Sequence, residues 1–130
     1  MQDISVPISP GELLDKITIL RIKSARMSDA AKLVNVRHEL QLLEQTWRAA
    51  LPKGIDLANE EHALEEVTAK LWVVEDELRD LEAGKHFDAR FIELARAVYF
   101  TNDERAAIKK RINIKLGSAL VEEKSYRPYS

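Results

Sequence analysis

The chain has 130 residues, 45% of them hydrophobic, which is the size of one domain with enough apolar side chain to bury a core unaided by covalent staples. Its 20 lysines and arginines nearly balance 22 aspartates and glutamates, for a net charge of -2, so no strong field draws it to nucleic acid or anionic lipid. The absence of cysteine excludes a disulfide framework, a thiolate metal site and a cysteine nucleophile.

The opening MQDISVPISPGELL lacks the basic start and apolar centre of a signal peptide, and no run of ~18 apolar residues is present to span a bilayer. A single soluble, cytoplasmic domain over residues 1–130 is the expectation, with no membrane or nucleic-acid partner. Ser9-Pro10-Gly11-Glu12 reads as a helix start. The serine hydroxyl accepts from the N–H three residues on, the glutamate reaches back, and proline suits the first turn. The first helix then runs from about Pro10 to Met27. Leu13, Leu14, Ile17, Leu20 and Met27 form its stripe, while Ile19 and Ile22 project from the opposite side, which marks a helix that is either central or at an interface. Arg21 falls between Leu14 and Ile17 on the wheel and calls for a carboxylate partner.

Asp29 caps a second helix whose Leu33, Val36, Leu40, Leu43, Trp47 and Ala50 follow steps of three and four. Pro52-Lys53-Gly54 breaks it. A third helix carries Leu64, Val67, Leu71, Val74, Leu78 and Leu81 on the same rhythm and ends at Gly84. Two such seams joined by a short breaker predict a long antiparallel hairpin of the second and third helices. A shorter fourth helix follows from Asp88 with Phe91, Leu94 and Val98. A fifth, capped by Asn102, places Asp103 and Glu104 in its first turn and Lys109, Lys110, Arg111 and Lys115 later, matching the helix dipole. Gly117 closes it, and residues 117–130 read as an extended tail. The predicted class is all-α: a helical hairpin with an N-terminal helix and two shorter C-terminal helices packed on it.

His38, His62 and His86 are scattered without ligand spacing, and the four glycines sit singly at helix boundaries, so neither a metal nor a cofactor is expected. In LWVVEDELRDLE (residues 71–82), Glu75 and Glu82 flank the seam, Glu77 and Asp80 point to water, and Asp76 lies one turn from Trp72 and next to Arg79, on the side that carries Val73. That outer face predicts either a rim ion pair or the edge of a cleft. Arg105, Lys109 and Asn113, at steps of four with Asn102 one turn before, border the apolar stripe of Ile108, Ile112 and Leu116. Such a stripe can present cations and amides to a carboxylate or phosphate, or simply cover apolar surface with its stems.

The stretches SPGELLDKITILRIK, KLVNVRHEL, LWVVEDELR, FDARFIELARAVYFTNDERAAIKKRINIKLGS and EEKSY resemble a bacterial family catalogued as a domain of unknown function. The resemblance implies a small helical protein associated with surface-polysaccharide synthesis. It groups Asn35, Arg37, Trp72, Glu75, Asp76, Arg79, Asn102, Asp103, Arg105, Lys109, Asn113, Glu122, Glu123 and Lys124 without assigning roles. Two functions therefore stand against each other. The leading one is a non-catalytic interaction or oligomerisation module, a homo-oligomer or docking protein that uses helix one and the face around Trp72 and Val73. The alternative is a site, for binding alone or for catalysis, that takes an anionic small molecule such as a phosphorylated sugar or nucleotide and is formed by Trp72, Asp76, Arg79, Asn102, Arg105, Lys109 and Asn113.

Overall fold

A computed structural model describes residues 1–129 as four helices: α1 (Pro10–Arg26), α2 (Ala30–Ala50), α3 (Ala58–Ala83) and α4 (Ala89–Lys115), with no strand among the described residues. Three of the four predicted helix caps are realised. Ser9 accepts from the Glu12 N–H at 3.2 Å, Asp29 from Lys32 at 3.0 Å and Asp88 from Phe91 at 3.3 Å, each relieving an N–H that the first turn leaves without an intrahelical acceptor. The reciprocal half of the Ser9 box is not made, because Glu12 turns instead to Lys109 of α4.

The all-α class and the antiparallel hairpin hold, but the arms of the longest hairpin are α3 and α4. Glu77 pairs with Arg90 beside the turn and Glu60 with Lys115 at the far end, which fixes the antiparallel register. A second, shorter hairpin joins α1 to α2, with Arg21 on Glu44 at 3.1 Å and Arg37 on Ser24. Helix α1 packs on α2, α3 and α4, whereas α2 and α3 share no helix-to-helix packing. Both predicted seams are thus real, but they face α1 and α4 rather than each other. The residues Leu51–Leu57 carry the chain from one hairpin to the next, and Leu57 joins Trp47, Leu64, Val67, Leu13, Leu14, Ile17, Ile108 and Ile112 in one core. Leu14, Ile17, Leu64 and Ile112 are fully buried, each stabilising the fold by roughly 1.5–3 kcal/mol.

The apolar residues on two sides of α1 are explained by its central position, since Leu14, Ile17 and Ile22 are all buried within the chain itself. The expected fourth and fifth helices are one continuous helix. Nothing between Val98 and Glu104 is glycine or proline, an interior asparagine costs only a few tenths of a kcal/mol, and Leu94, Thr101 and Ile108 are buried at seven-residue steps along one face. Asn102 therefore lies mid-helix, with its side chain accepting from Arg105. Past Gly117, where φ is +64°, the non-helical tail runs back along α4, touching Lys109 through Glu122 and Asp103 through Tyr129.

Candidate functional site

The site begins with a close approach of two helices. At Gly11 the backbone N–H donates to Asn113 Oδ1 at 2.7 Å, and a Cβ added there would stand 2.6 Å from the Lys109 carbonyl oxygen. Only glycine lets α1 come this near to α4. Asn113, 4% exposed, acts as a side-chain acceptor for an N–H in the first turn of α1.

One turn further along α1, Asp15 is 2% exposed although it is an acid. It is satisfied by Arg105, whose Nε donates to Oδ1 at 2.7 Å and whose Nη2 donates to Oδ2 at 2.5 Å. Such a two-point grip fixes the plane of the guanidinium. Nη1 donates to Asn102 at 3.4 Å, which leaves two guanidinium N–H groups uncommitted among the described residues. Hydrogen bonding to Asp15 raises the Arg105 pKa against the opposing effect of burial, so the group is a permanent cation. Another turn on, the Lys109 ammonium, its side chain 12% exposed, donates to Glu12 at 2.7 Å and to Glu122 of the tail at 3.1 Å. Burial alone would lower its pKa, but the two carboxylates together outweigh burial and the net direction is up. Glu122 is correspondingly lowered, first by Lys124 and then by Lys109.

These groups line a cavity of about 610 Å³ between the start of α1, the middle of α4 and the tail. Its polar wall is Glu12, Asp15, Asn102, Asp103, Arg105, Lys109, Glu122 and Lys124, and its aromatic wall is Tyr99, Tyr126 and Tyr129. Tyr129 packs edge-on against Tyr99 at 5.0 Å and donates its hydroxyl to Asp103. That bond pushes the phenol pKa up to about 12. A volume of this size suits a metabolite-scale ligand. Fixed cations supply orientation for an acidic group, and tyrosine rings supply a face for a sugar or base. Among the described residues no three His, Asp or Glu side chains are placed to hold a metal ion.

Of the residues the sequence singled out, Asn102, Arg105 and Lys109 meet in this cavity, and Asn113 lies behind it at the α1 contact. Trp72, Asp76 and Arg79 do not line it. Trp72 is half-buried, Asp76 and Arg79 are exposed, and Val73 is 51% exposed. The acids that hydrogen-bond the cations come from α1 and the tail, while Glu75 of α3 adds only a longer-range attraction on Arg105. Glu77, expected in water, grips Arg90 at 2.7 and 3.2 Å. Arg21 finds its expected carboxylate in Glu44.

Asp15, Tyr99, Tyr126 and Tyr129 are not among the residues the sequence singled out, and Asp103 was grouped there without a role. Asp15 carried a readable signal: it stands between Leu13, Leu14 and Ile17, inside the apolar face of α1, where an ionised group requires a partner. The tyrosines carried none, because their place depends on how the tail folds back.

The fold and cavity define an all-α protein built of two antiparallel hairpins, with a charged and aromatic cavity where its first and last helices meet. The chain belongs to the family of unknown function DUF6165, whose pattern it matches over residues 4–130. No curated protein and no solved structure matches it. No helix among the described residues is long and apolar enough to cross a membrane.

Proposed function

We propose that the protein binds an anionic small molecule of the phosphorylated-sugar or nucleotide kind in the cavity between α1, α4 and the tail. The observation that carries this reading is Arg105, held in plane by the buried Asp15 with two N–H groups still uncommitted, one turn from Lys109 and facing three tyrosines. An acidic group on the ligand would take those N–H groups and the third N–H of Lys109. The ring of the ligand would lie against Tyr99 or Tyr126, with Asp103 accepting from its hydroxyls. The reading that leads in the sequence, an interaction or oligomerisation module using helix one and the face around Trp72 and Val73, loses its first surface, because Leu14, Ile17 and Ile22 of α1 are buried within the chain.

The test is a thermal-shift screen of phosphorylated sugars, nucleotides and dicarboxylates, followed by calorimetry on any compound that shifts the midpoint. A ligand at about 100 times its Kd stabilises the fold by roughly 2.7 kcal/mol. Tyr99→Ala, at an exposed aromatic, and Lys109→Met, which keeps the stem, are expected to weaken binding about tenfold while the unliganded protein stays folded. A screen with no shift at millimolar concentrations, or binding unchanged in both variants, would refute the proposal.

A further inference from the structure

The face of the α3/α4 hairpin that receives α1 does not end where α1 does. Stepping back by seven residues along α4 from Arg105, which touches α1, gives Val98 and then Phe91 on the same side of the helix. At 1.5 Å per residue, α3 with 26 residues is ~39 Å long and α1 with 17 only ~26 Å, so the outer part of the hairpin is left without a covering helix. There the structure forms an apolar groove floored by Leu78, Ala83, Phe91, Ala95 and Val98. Phe87, more than half exposed, stands edge-on to Phe91 with ring centroids 5.1 Å apart and extends the apolar surface.

The rim of this groove is made by Glu75, Arg79, Glu82 and Lys85, all exposed. Glu75 and Arg79 make no ion pair among the described residues, and Glu82 and Lys85 make only a loose one at 3.8 Å. The order of the charges is self-complementary. Lys85 lies past the helix end with φ +57°, whereas the midpoint between Arg79 and Glu82 falls within α3, between Asp80 and Leu81. A two-fold axis through that point lays the α3 of another copy antiparallel on this one. Each Arg79 would then meet a Glu82 of the second copy, with each Glu75 toward the turn that follows its α3. An isologous contact needs this kind of pairing, since the same patch must serve as both halves.

We infer that this groove is a self-association surface, occupied by a second copy of the chain docked α3 against α3 through Leu78, with Phe91 of α4 beside it and Arg79 and Glu82 setting the register. The stretch from Glu75 to Lys85 is ~15 Å long, and two helices side by side are ~20 Å wide, or roughly 300 Å² per copy. That is well below the ~800 Å² per partner of a stable complex. The dimer is therefore weak and reversible, forming at tens to hundreds of micromolar. The groove shares only Val98 with the cavity, so the inference stands whether or not the cavity takes a ligand.

Sedimentation velocity on the full chain from ~1 to ~500 µM provides the test. The expected result is a concentration-dependent shift from monomer to dimer. Arg79→Glu sets like charges opposite each other and is expected to weaken the dimer tenfold or more. The charge swap Arg79→Glu with Glu82→Arg restores complementarity and is expected to recover the dimer to within about threefold. Both side chains are exposed, so helix content by circular dichroism should be unchanged in either variant. A wild-type chain that remains monomeric at the highest concentration overturns the inference. So does a swap that fails to recover what the single substitution lost.

Discussion

Replacing Asp15 by asparagine removes one charge and almost no volume from the contact between α1 and α4. Two unit charges about 4 Å apart attract by roughly 4 kcal/mol at the effective dielectric of a partly buried site, and removing one member of a buried pair typically costs about 3–5 kcal/mol. Asp15 is 2% exposed, but the Arg105 side chain is 24% exposed, so the stranded guanidinium can turn part of its head to water. The amide also puts an NH2 where a carboxylate oxygen accepted a 2.5 Å bond. The expected loss is therefore about 2–3 kcal/mol. For a chain of this size, that lowers Tm by roughly 6–12 °C. Urea unfolding followed at 222 nm reads the change directly, with the slope unchanged if the denatured state is unaltered. A double-mutant cycle of Asp15→Asn with Arg105→Met should give a coupling of at least about 1.5 kcal/mol, because the second substitution removes the charge that the first left unpaired. A loss below about 0.5 kcal/mol, or simple additivity in the cycle, would show that this ion pair does not hold the two helices together.

Gly11→Ala places a methyl group 2.6 Å from the Lys109 carbonyl oxygen and 2.9 Å from Asn113 Oδ1. The expected cost is about 1–3 kcal/mol in thermal or urea unfolding, since backbone must move to admit it. Ligand affinity at the cavity should fall with it, because α1 carries Glu12 and Asp15. Alkaline titration followed near 295 nm should show one of the three tyrosines ionising at about 12 instead of 10.0, and Asp103→Asn should return it toward the ordinary value. The sign is that of a raised pKa: the protonated phenol is favoured in the folded chain, so the tail contact is fully present below pH 10 and lost as pH rises through 12. Lys109, also raised, follows the same direction, holding its two carboxylates below its unfolded value of 10.5 and releasing them as pH climbs past its folded one.

Local features were readable from the sequence because they depend on neighbours in the chain. Ser9, Asp29 and Asp88 cap helices as their spacing indicates, and Leu64, Val67, Leu71 and Val74 line a buried stripe. What those stripes meet is a different matter. A three-four rhythm on α2 and on α3 is equally satisfied by pairing with each other or with a helix between them, and only the packing of the whole chain decides. Asn102 shows the same limit at one residue, since asparagine suits both a cap and a mid-helix hydrogen bond to Arg105. The border positions of Arg105 and Lys109 were visible as spacing, and both residues do line the cavity. Their counter-ions on α1 and the tail were not legible in the same way, because the wheel places residues on faces but does not say which faces touch.

The bond from Gly11 to Asn113 joins positions 102 residues apart, and the grip of Asp15 on Arg105 spans 90. During synthesis α1 precedes the other three helices, yet the cation for its buried acid is made only with α4. The α1/α2 and α3/α4 hairpins can close over short loops, whereas α1 can settle on α4 only after both are complete. Any fragment that stops before Arg105 therefore leaves Asp15 without the guanidinium that satisfies it. The burial of α1 thus depends on a cation that only α4 supplies.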